Sequence, residues 1–275
     1  MTSPDPFTEN GAADLSLQDR EALRRAVRLL ENPSFAARLA DLIGTPLETI
    51  IGRLPEKTSA AVQGAVMKAI RKALAVAIRT IDNKSRGEPP DFLMKVASGL
   101  TGGVGGFFGL PGLAVELPVT TTVMLRAIAH IARSEGEDLD NPESRLACLE
   151  VFALGGKSSG SAGAETGYYA VRAVLTKYVS EAAKYIAERG LAEEGAPVLL
   201  RLITSIAGRF GVVVSEKIAA GAVPVAGAVG GATVNVAFMD HFQNIAHGHF
   251  IVRRLERKYG KETVRAEYER RLAEG

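Results

Sequence analysis

Two long stretches of this chain carry no charge and are studded with glycine: residues 96–115, between Lys95 and Glu116, and residues 218–239, between Lys217 and Asp240. A helix of about 20 apolar residues is long enough to cross a bilayer, but both stretches are too rich in Gly and too poor in Leu, Ile and Phe to read as plain transmembrane spans. They hold small-xxx-small pairs, Gly105/Gly109 and Gly227/Gly231, which let helix backbones approach closely and gain dispersion contact. The pattern predicts two apolar helical segments that pack tightly on other helices, lie shallowly in a membrane, or both. Their flanks echo one another. Each follows a lysine and passes into a helix that reaches Ile-Ala-His, at 128–130 and at 245–247.

The rest of the chain reads as helix. Ser16 with Asp19 resembles a capping box opening the amphipathic helix Leu17–Glu31, which Asn32 and Pro33 end. Periodicity predicts further helices at 35–43, 46–53, 57–81, 119–134, 143–154, 168–189, 196–217 and about 235–259. The 143–154 helix has Asn141 as cap, Pro142 at its first position and Gly155-Gly156 at its end. Residues 211–214 are ambiguous between helix and strand. The organisation predicted is a disordered tail at 1–15, an N-terminal helical region at 16–86, a break at Gly87-Glu88-Pro89-Pro90, and a helical core at 87–275 with a Ser/Gly loop at 157–167. The fold class is all-α, a multi-helix domain.

Composition narrows function by exclusion. A net charge of +2 and the absence of Trp leave neither a basic footprint nor a stacking platform for nucleic acid. A single cysteine, Cys148, excludes an internal disulfide, and its apolar helical neighbours suggest an inert buried thiol. Residues 1–11 lack a basic region followed by an apolar core, so no secretory signal is visible and a cytoplasmic protein is expected.

Chemical motifs are weak. Residues 156–160 match G-x-S-x-G, but a nucleophile elbow needs a strand before the serine, and here a helix leads into a loop. Gly156-Lys157-Ser158 lacks the first glycine and the preceding strand of a phosphate-binding loop, and Gly102-Gly103-Val104-Gly105-Gly106 likewise lacks a strand. Three of the four histidines fall in 240–249. Asp240, Asn244 and His247 share one helix face, His241 and His249 another, and neither spacing chelates a metal as H-E-x-x-H does. No metal or other cofactor is expected. If the chain is an enzyme, the candidate groups are Glu116, His130, Asp240 and His247, in a metal-dependent or lipid-directed hydrolase. Glu116 stands out as a carboxylate ending a long uncharged run, where it needs a partner or water.

The clearest physical signal is the predicted helix 57–81. Lys57, Lys68, Arg71, Lys72 and Arg79 fall in one stripe, the helix holds no acidic residue, and Val62, Val66, Ile70, Ala73, Ala77 and Ile81 occupy the opposite side. Such a stripe can face anionic lipid headgroups, each cation adding on the order of 1 kcal/mol.

Longer motifs carry a family resemblance. Gly109-Leu110-Pro111-Gly112, Glu116-Leu117-Pro118, Thr120-Thr121-Thr122, the run 124–138, the run 145–156, and His241-Phe242 to His249-Phe250 with Arg253-Arg254-Leu255-Glu256-Arg257 and Tyr259-Gly260 together resemble the EcsC-like protein family, over about residues 17–260. The family takes its name from an operon neighbour of an ABC transporter linked to secretion, so the resemblance implies a bacterial, membrane-adjacent role. It implies no reaction. The expectation is a non-catalytic helical protein, peripheral on the inner face of the cell membrane, that binds anionic lipid or a membrane-protein partner. A soluble helical scaffold is the further alternative, and oligomeric state is left open.

Overall fold

The computed structural model describes residues 15–31, 35–44, 56–83, 109–156, 167–190, 195–221 and 230–274. Among them are nine α-helices and no strand: α1 Leu17–Glu31, α2 Phe35–Ile43, α3 Glu56–Thr80, α4 Gly109–Ser134, α5 Pro142–Leu154, α6 Tyr168–Arg189, α7 Pro197–Gly221, α8 Gly230–Tyr259 and α9 Lys261–Glu274. The predicted helix 46–53, the tail 1–14, the break at 87–90 and most of the 157–167 loop lie outside the described residues.

Local chemistry sets the helix ends. The Asp19 N–H donates to Ser16 Oγ at 3.2 Å and Ser16 Oγ donates to Asp19 Oδ2 at 3.0 Å, a reciprocal cap on α1. Asn141 Oδ1 accepts from the Glu143 N–H at 2.9 Å at the start of α5. The structure extends α4 ten residues upstream of the predicted start at Val119, through Pro118 in its interior. Proline reads as a breaker because it lacks the donor N–H. Here Thr121 and Thr122 donate to the Leu117 and Pro118 carbonyls, each at 2.7 Å. The ambiguous residues 211–214 are helical, with Val213 and Val214 fully buried in α7.

One apolar core joins the elements. It includes Leu23 and Leu30 of α1, Val66 and Ile70 of α3, Leu125 and Ile128 of α4, Phe152 of α5, Phe210 of α7 and Phe242 and Phe250 of α8. Every residue of α5 from Leu146 to Leu154 is buried, because α3, α4, α6, α7 and α8 all pack on it.

The bundle has two poles. At one, α3 ends beside the turn joining α4 to α5: Arg145 Nη1 donates to the Ile78 carbonyl at 2.9 Å and Arg133 Nη2 to the Asp82 carbonyl at 2.7 Å. Here too α1 begins and α8 ends, with Arg254 and Lys258 on Asp19 at 3.1 and 2.7 Å. At the other pole α4 and α8 begin and α7 ends, where Lys217 Nζ lies 3.3 Å from Glu116 and 4.9 Å from the centre of the Phe238 ring. A continuous helix would separate residues 217 and 238 by about 30 Å at 1.5 Å per residue. The chain therefore turns back between Lys217 and Phe238, so residues 218–239 are not one continuous helix: residues 218–221 close α7, residues 230–239 open α8, and residues 222–229 lie outside the described residues.

Candidate functional site

The charged pole is held by side chains reaching back from the end of α8. Arg253 grips Glu137 through two bonds, of 2.9 and 3.0 Å, while Ser144 donates to the same carboxylate at 2.9 Å and Arg257 also pairs with it. Arg254 pairs with Glu135 at 2.7 Å. Asp19 accepts from Lys258, Tyr259, Ser16 and Arg254, which together hold its carboxyl far below the usual carboxylate range despite the opposing effect of burial. These contacts are scaffolding. Each cation has its carboxylate and each carboxylate its donors.

Beside this network, α5, α6, α8 and α9 enclose a cleft of ≈ 620 Å³. Glu150 of α5 lines it. Its residue is 3% exposed, and its one described polar neighbour is His249 Nε2 at 3.7 Å. Burial pushes the Glu150 carboxyl up to about 7, against the pull of Arg253 and Arg172 and with the push of Glu143 and Glu137. His249 is fully buried, and burial, with Arg172 and Arg253, drives its imidazole well below the usual histidine range. With the imidazole uncharged, its approach to Glu150 is not an ion pair.

A polar chain runs behind this pair. Arg172 forms two 2.7 Å bonds to Glu256 and a third, from Nη1, to the Tyr168 hydroxyl at 3.2 Å. That hydroxyl lies 3.0 Å from His249 Nδ1. With Tyr168 donating to Nδ1, the imidazole proton stands on Nε2 and points at Glu150. His249 Nε2 has no hydrogen-bond partner. Tyr169 donates to Glu256 at 3.2 Å, and Tyr268 of α9 packs on both Tyr168 and Tyr169. The cleft thus joins a buried, near-neutral carboxyl to a buried imidazole under a wall of paired arginines. It can hold a proton or receive a donor group.

The residues singled out from sequence lie elsewhere. Glu116 pairs with Lys217 at the far pole, both largely covered, and burial lowers the Lys217 ammonium below its usual range while Glu116 opposes the shift. His130 and Asp240 are exposed and His247 is half-buried, its imidazole lowered by burial and by Arg25. No described contact joins these four. Among the described residues no group of three or more His, Cys, Asp and Glu side chains is placed to hold a metal ion. His241 Nε2 donates to the Gly155 carbonyl at 2.8 Å, so it closes the end of α5. Cys148 is fully buried, and burial raises its thiol above the usual range.

On α3, Lys68, Arg71, Lys72 and Arg79 are exposed, as the stripe requires, and the Lys57 side chain lies outside the described part. The opposite face, Val62, Val66, Ile70, Ala73, Ala77 and Ile81, is wholly inside the core, so this helix has no spare apolar face to insert into lipid. Gly105 and Gly227 fall outside the described residues, and Gly109 and Gly231 sit in the first turns of α4 and α8. The close glycine contacts that are described lie elsewhere. A Cβ on Gly248 would stand 2.6 Å from Leu30 Cγ, one on Gly155 2.6 Å from Phe242, and one on Gly156 would run into the Arg209 carbonyl. Two helices are long and apolar enough to cross a membrane by length and composition, residues 113–134 and Pro197–Gly221, and 61% and 44% of their apolar windows is buried within the fold.

The model of the EcsC protein family matches residues 18–255. The chain belongs to that family. No curated protein and no solved structure matches it. The matched EcsC region includes the carboxyl–imidazole pair Glu150 and His249 but ends before α9, so the Lys261, Glu262 and Arg265 wall of the cleft lies beyond it.

Proposed function

We propose that this EcsC protein is a non-catalytic, reversibly membrane-associated protein that binds an anionic bilayer from its cytoplasmic side. The observation that carries the reading is the convergence at one pole of the flanks of both uncharged stretches, tied by the largely buried Lys217–Glu116 pair. Toward that pole Val115 and Val119 of α4 and Val236 of α8 are 69%, 45% and 53% exposed, within the first three turns of two helices that both begin there. Exposed apolar side chains near this pole fit shallow burial at the headgroup boundary. The α3 stripe supplies long-range capture, because its cations face outward while its apolar face is spent in the core. The family's neighbourhood to a transporter supports the same location, and a membrane-protein partner at this pole is the second ligand class it fits.

Cosedimentation of the purified chain with anionic and with neutral vesicles tests this. Binding is expected to favour anionic vesicles, to weaken as salt rises, and to fall by an order of magnitude or more in the K68E/R71E/K72E variant, at about 1 kcal/mol per cation. Arg253 and Arg254 look in sequence like suitable control cations, but their ion pairs make them structural. Lys177 and Lys184 of α6, both exposed, are the proper controls. Equal capture by neutral vesicles, unchanged by the triple variant, would remove the stripe from the reading. No capture by either vesicle would overturn it.

A further inference from the structure

We propose that α9 is a hinged cover on the cleft between α5, α6, α8 and α9: it undocks about Gly260 while the rest of the bundle stays folded, and the cleft loses one wall and becomes an open groove. The inference uses only the contacts around α8 and α9 and stands independently of the membrane reading.

Contacts divide at Gly260. Before it, Arg254 and Lys258 pair with Asp19, Tyr259 donates to the same carboxylate at 2.8 Å, and Arg257 pairs with Glu137, so the end of α8 is fastened to α1 and to the turn before α5. After it, the described ion pairs of α9 all lie within the helix: Glu269 with Arg265, Glu267 with Arg270 and Arg271, and Glu274 with the same two arginines. Pairs three or four residues apart tie a helix to itself and not to its neighbours. Gly260 has φ +85°, in the left-handed region that glycine enters at no steric cost, and a Cβ built on it would meet nothing within 4 Å. The joint is permissive and uncrowded. The family match ends at residue 255, so α9 lies wholly beyond it.

Docking rests on a small clasp. Val264 and Tyr268 are the buried residues of this helix of 14. Tyr268 stacks on Tyr168 with ring centres 5.6 Å apart, meets Tyr169 edge-on at 5.1 Å, and donates from its hydroxyl to Glu31 at 2.8 Å. Arg265 sets its guanidinium over the Tyr169 ring at 5.5 Å. Two buried side chains on an otherwise polar helix put α9 at the low end of local stability, well below the bundle core. What it covers follows from the lining. Lys261, Glu262 and Arg265 come from α9, and without them Tyr169, Arg172, Glu256 and Glu150 line a groove open on that side.

Thiol labelling within one molecule tests the cover. Cys148 of α5 is fully buried and so is Val264, so Val264→Cys places one thiol beneath α9 and leaves a second in the core as its reference. N-ethylmaleimide should modify position 264 about a hundredfold faster than Cys148 in the native protein. Low urea should leave the rate at 264 nearly unchanged while Cys148 accelerates steeply, because undocking exposes far less surface than unfolding. In this background Ile128→Val, in the α4 core, should speed Cys148 several-fold without moving position 264, whereas Tyr268→Phe should speed position 264 roughly tenfold. Gly260→Ala, which strains the docked joint, should speed position 264 a few-fold. Equal rates at the two thiols, the same urea dependence, or a rise at 264 in Ile128→Val would show that α9 opens only with the whole bundle and overturn the proposal. No change at 264 in Gly260→Ala would remove the hinge. Hydrogen exchange of the unaltered chain gives the same reading without a variant: amides of α9 should exchange well ahead of those of α8 and with little urea dependence, and merged exchange of the two helices would overturn the cover.

Discussion

Glu150 concentrates the physical tension of this protein in one carboxyl. Its folded value, raised by burial from 4.5 to about 7, means that the native state holds a proton which the unfolded chain has already released. In that window the native state binds more protons, so stability falls as pH rises from about 4.5 to about 7 and stays at the lower level above it. Glu150→Gln removes the penalty on the order of 3 kcal/mol at alkaline pH and gains little near pH 4. Denaturant midpoints for the two proteins across that range should converge in acid and separate toward pH 8; parallel curves would show that Glu150 does not titrate as its burial dictates. Glycine carries the opposite lesson. At Gly156 a methyl group would meet the Arg209 backbone, which cannot swing aside, so Gly156→Ala should cost about 1–3 kcal/mol and lower the thermal midpoint by several degrees. Unchanged melting would show that the end of α5 can slide away from α7. Glu150 was passed over in the sequence, although as a lone carboxylate within the apolar run 146–154 it is open to the same reasoning that singled out Glu116. The chain offers no comparable signal for Gly156 or Gly248, because what a glycine touches is a partner backbone far away in the chain.

Helices were the legible layer, since the pattern that makes one is local. α1, α2 and α6 have the boundaries their caps and periodicity predict, and α5 starts one residue earlier, at Pro142. α7 runs on to Gly221 and α8 begins at Gly230, both inside the second glycine stretch, and two further elements departed from expectation for identifiable reasons. α4 tolerates Pro118, and α9 is so evenly charged that its burial rests on little more than Val264 and Tyr268. Pairing between helices was not legible. His249 was visible only as sharing a face with His241, while Tyr168 and Arg172 lay at the start of an ordinary helix and Glu256 among surface-like charges. Folding turned these into the α6–α8 clasp, with Arg172 12% and Glu256 5% exposed at the side chain. A buried pair of this kind is costly to break from one side and cheap to replace whole. Arg172→Gln should therefore destabilise by about 3–5 kcal/mol, leaving Glu256 buried without its cation, whereas the R172L/E256L double change should recover much of the loss. Urea unfolding of R172L, E256L and R172L/E256L beside the parent provides the cycle; equal losses in the single and double variants would show that α6 and α8 are held by packing alone.

At the scale of the molecule, polarity is the organising fact: ion pairs gather where α1 begins and α8 ends, and uncharged chain gathers where α4 and α8 begin. The reversal between α7 and α8 places both flanks of the second glycine stretch at the latter end, which a reading of residues 218–239 as one span could not anticipate. If that end meets the bilayer, the molecule binds in one orientation, with α8 pointing from the membrane toward the charged pole. Fluorescent labelling can measure this, since the single native thiol, Cys148, is fully buried with its ionisation suppressed and will not compete for the dye. An environment-sensitive probe attached at Val236→Cys or Val115→Cys, both exposed in the free protein, should shift to the blue when anionic vesicles are added. The same probe at Thr176→Cys, on the cleft side of α6, should stay at its aqueous emission. High salt added before the vesicles should suppress the shift by weakening capture through Lys68, Arg71 and Lys72, and should reverse it less completely once the apolar contacts have formed. A shift at Thr176 with none at Val115 or Val236 would turn the molecule over, bringing the cleft between α5, α6, α8 and α9 rather than the glycine pole to the lipid.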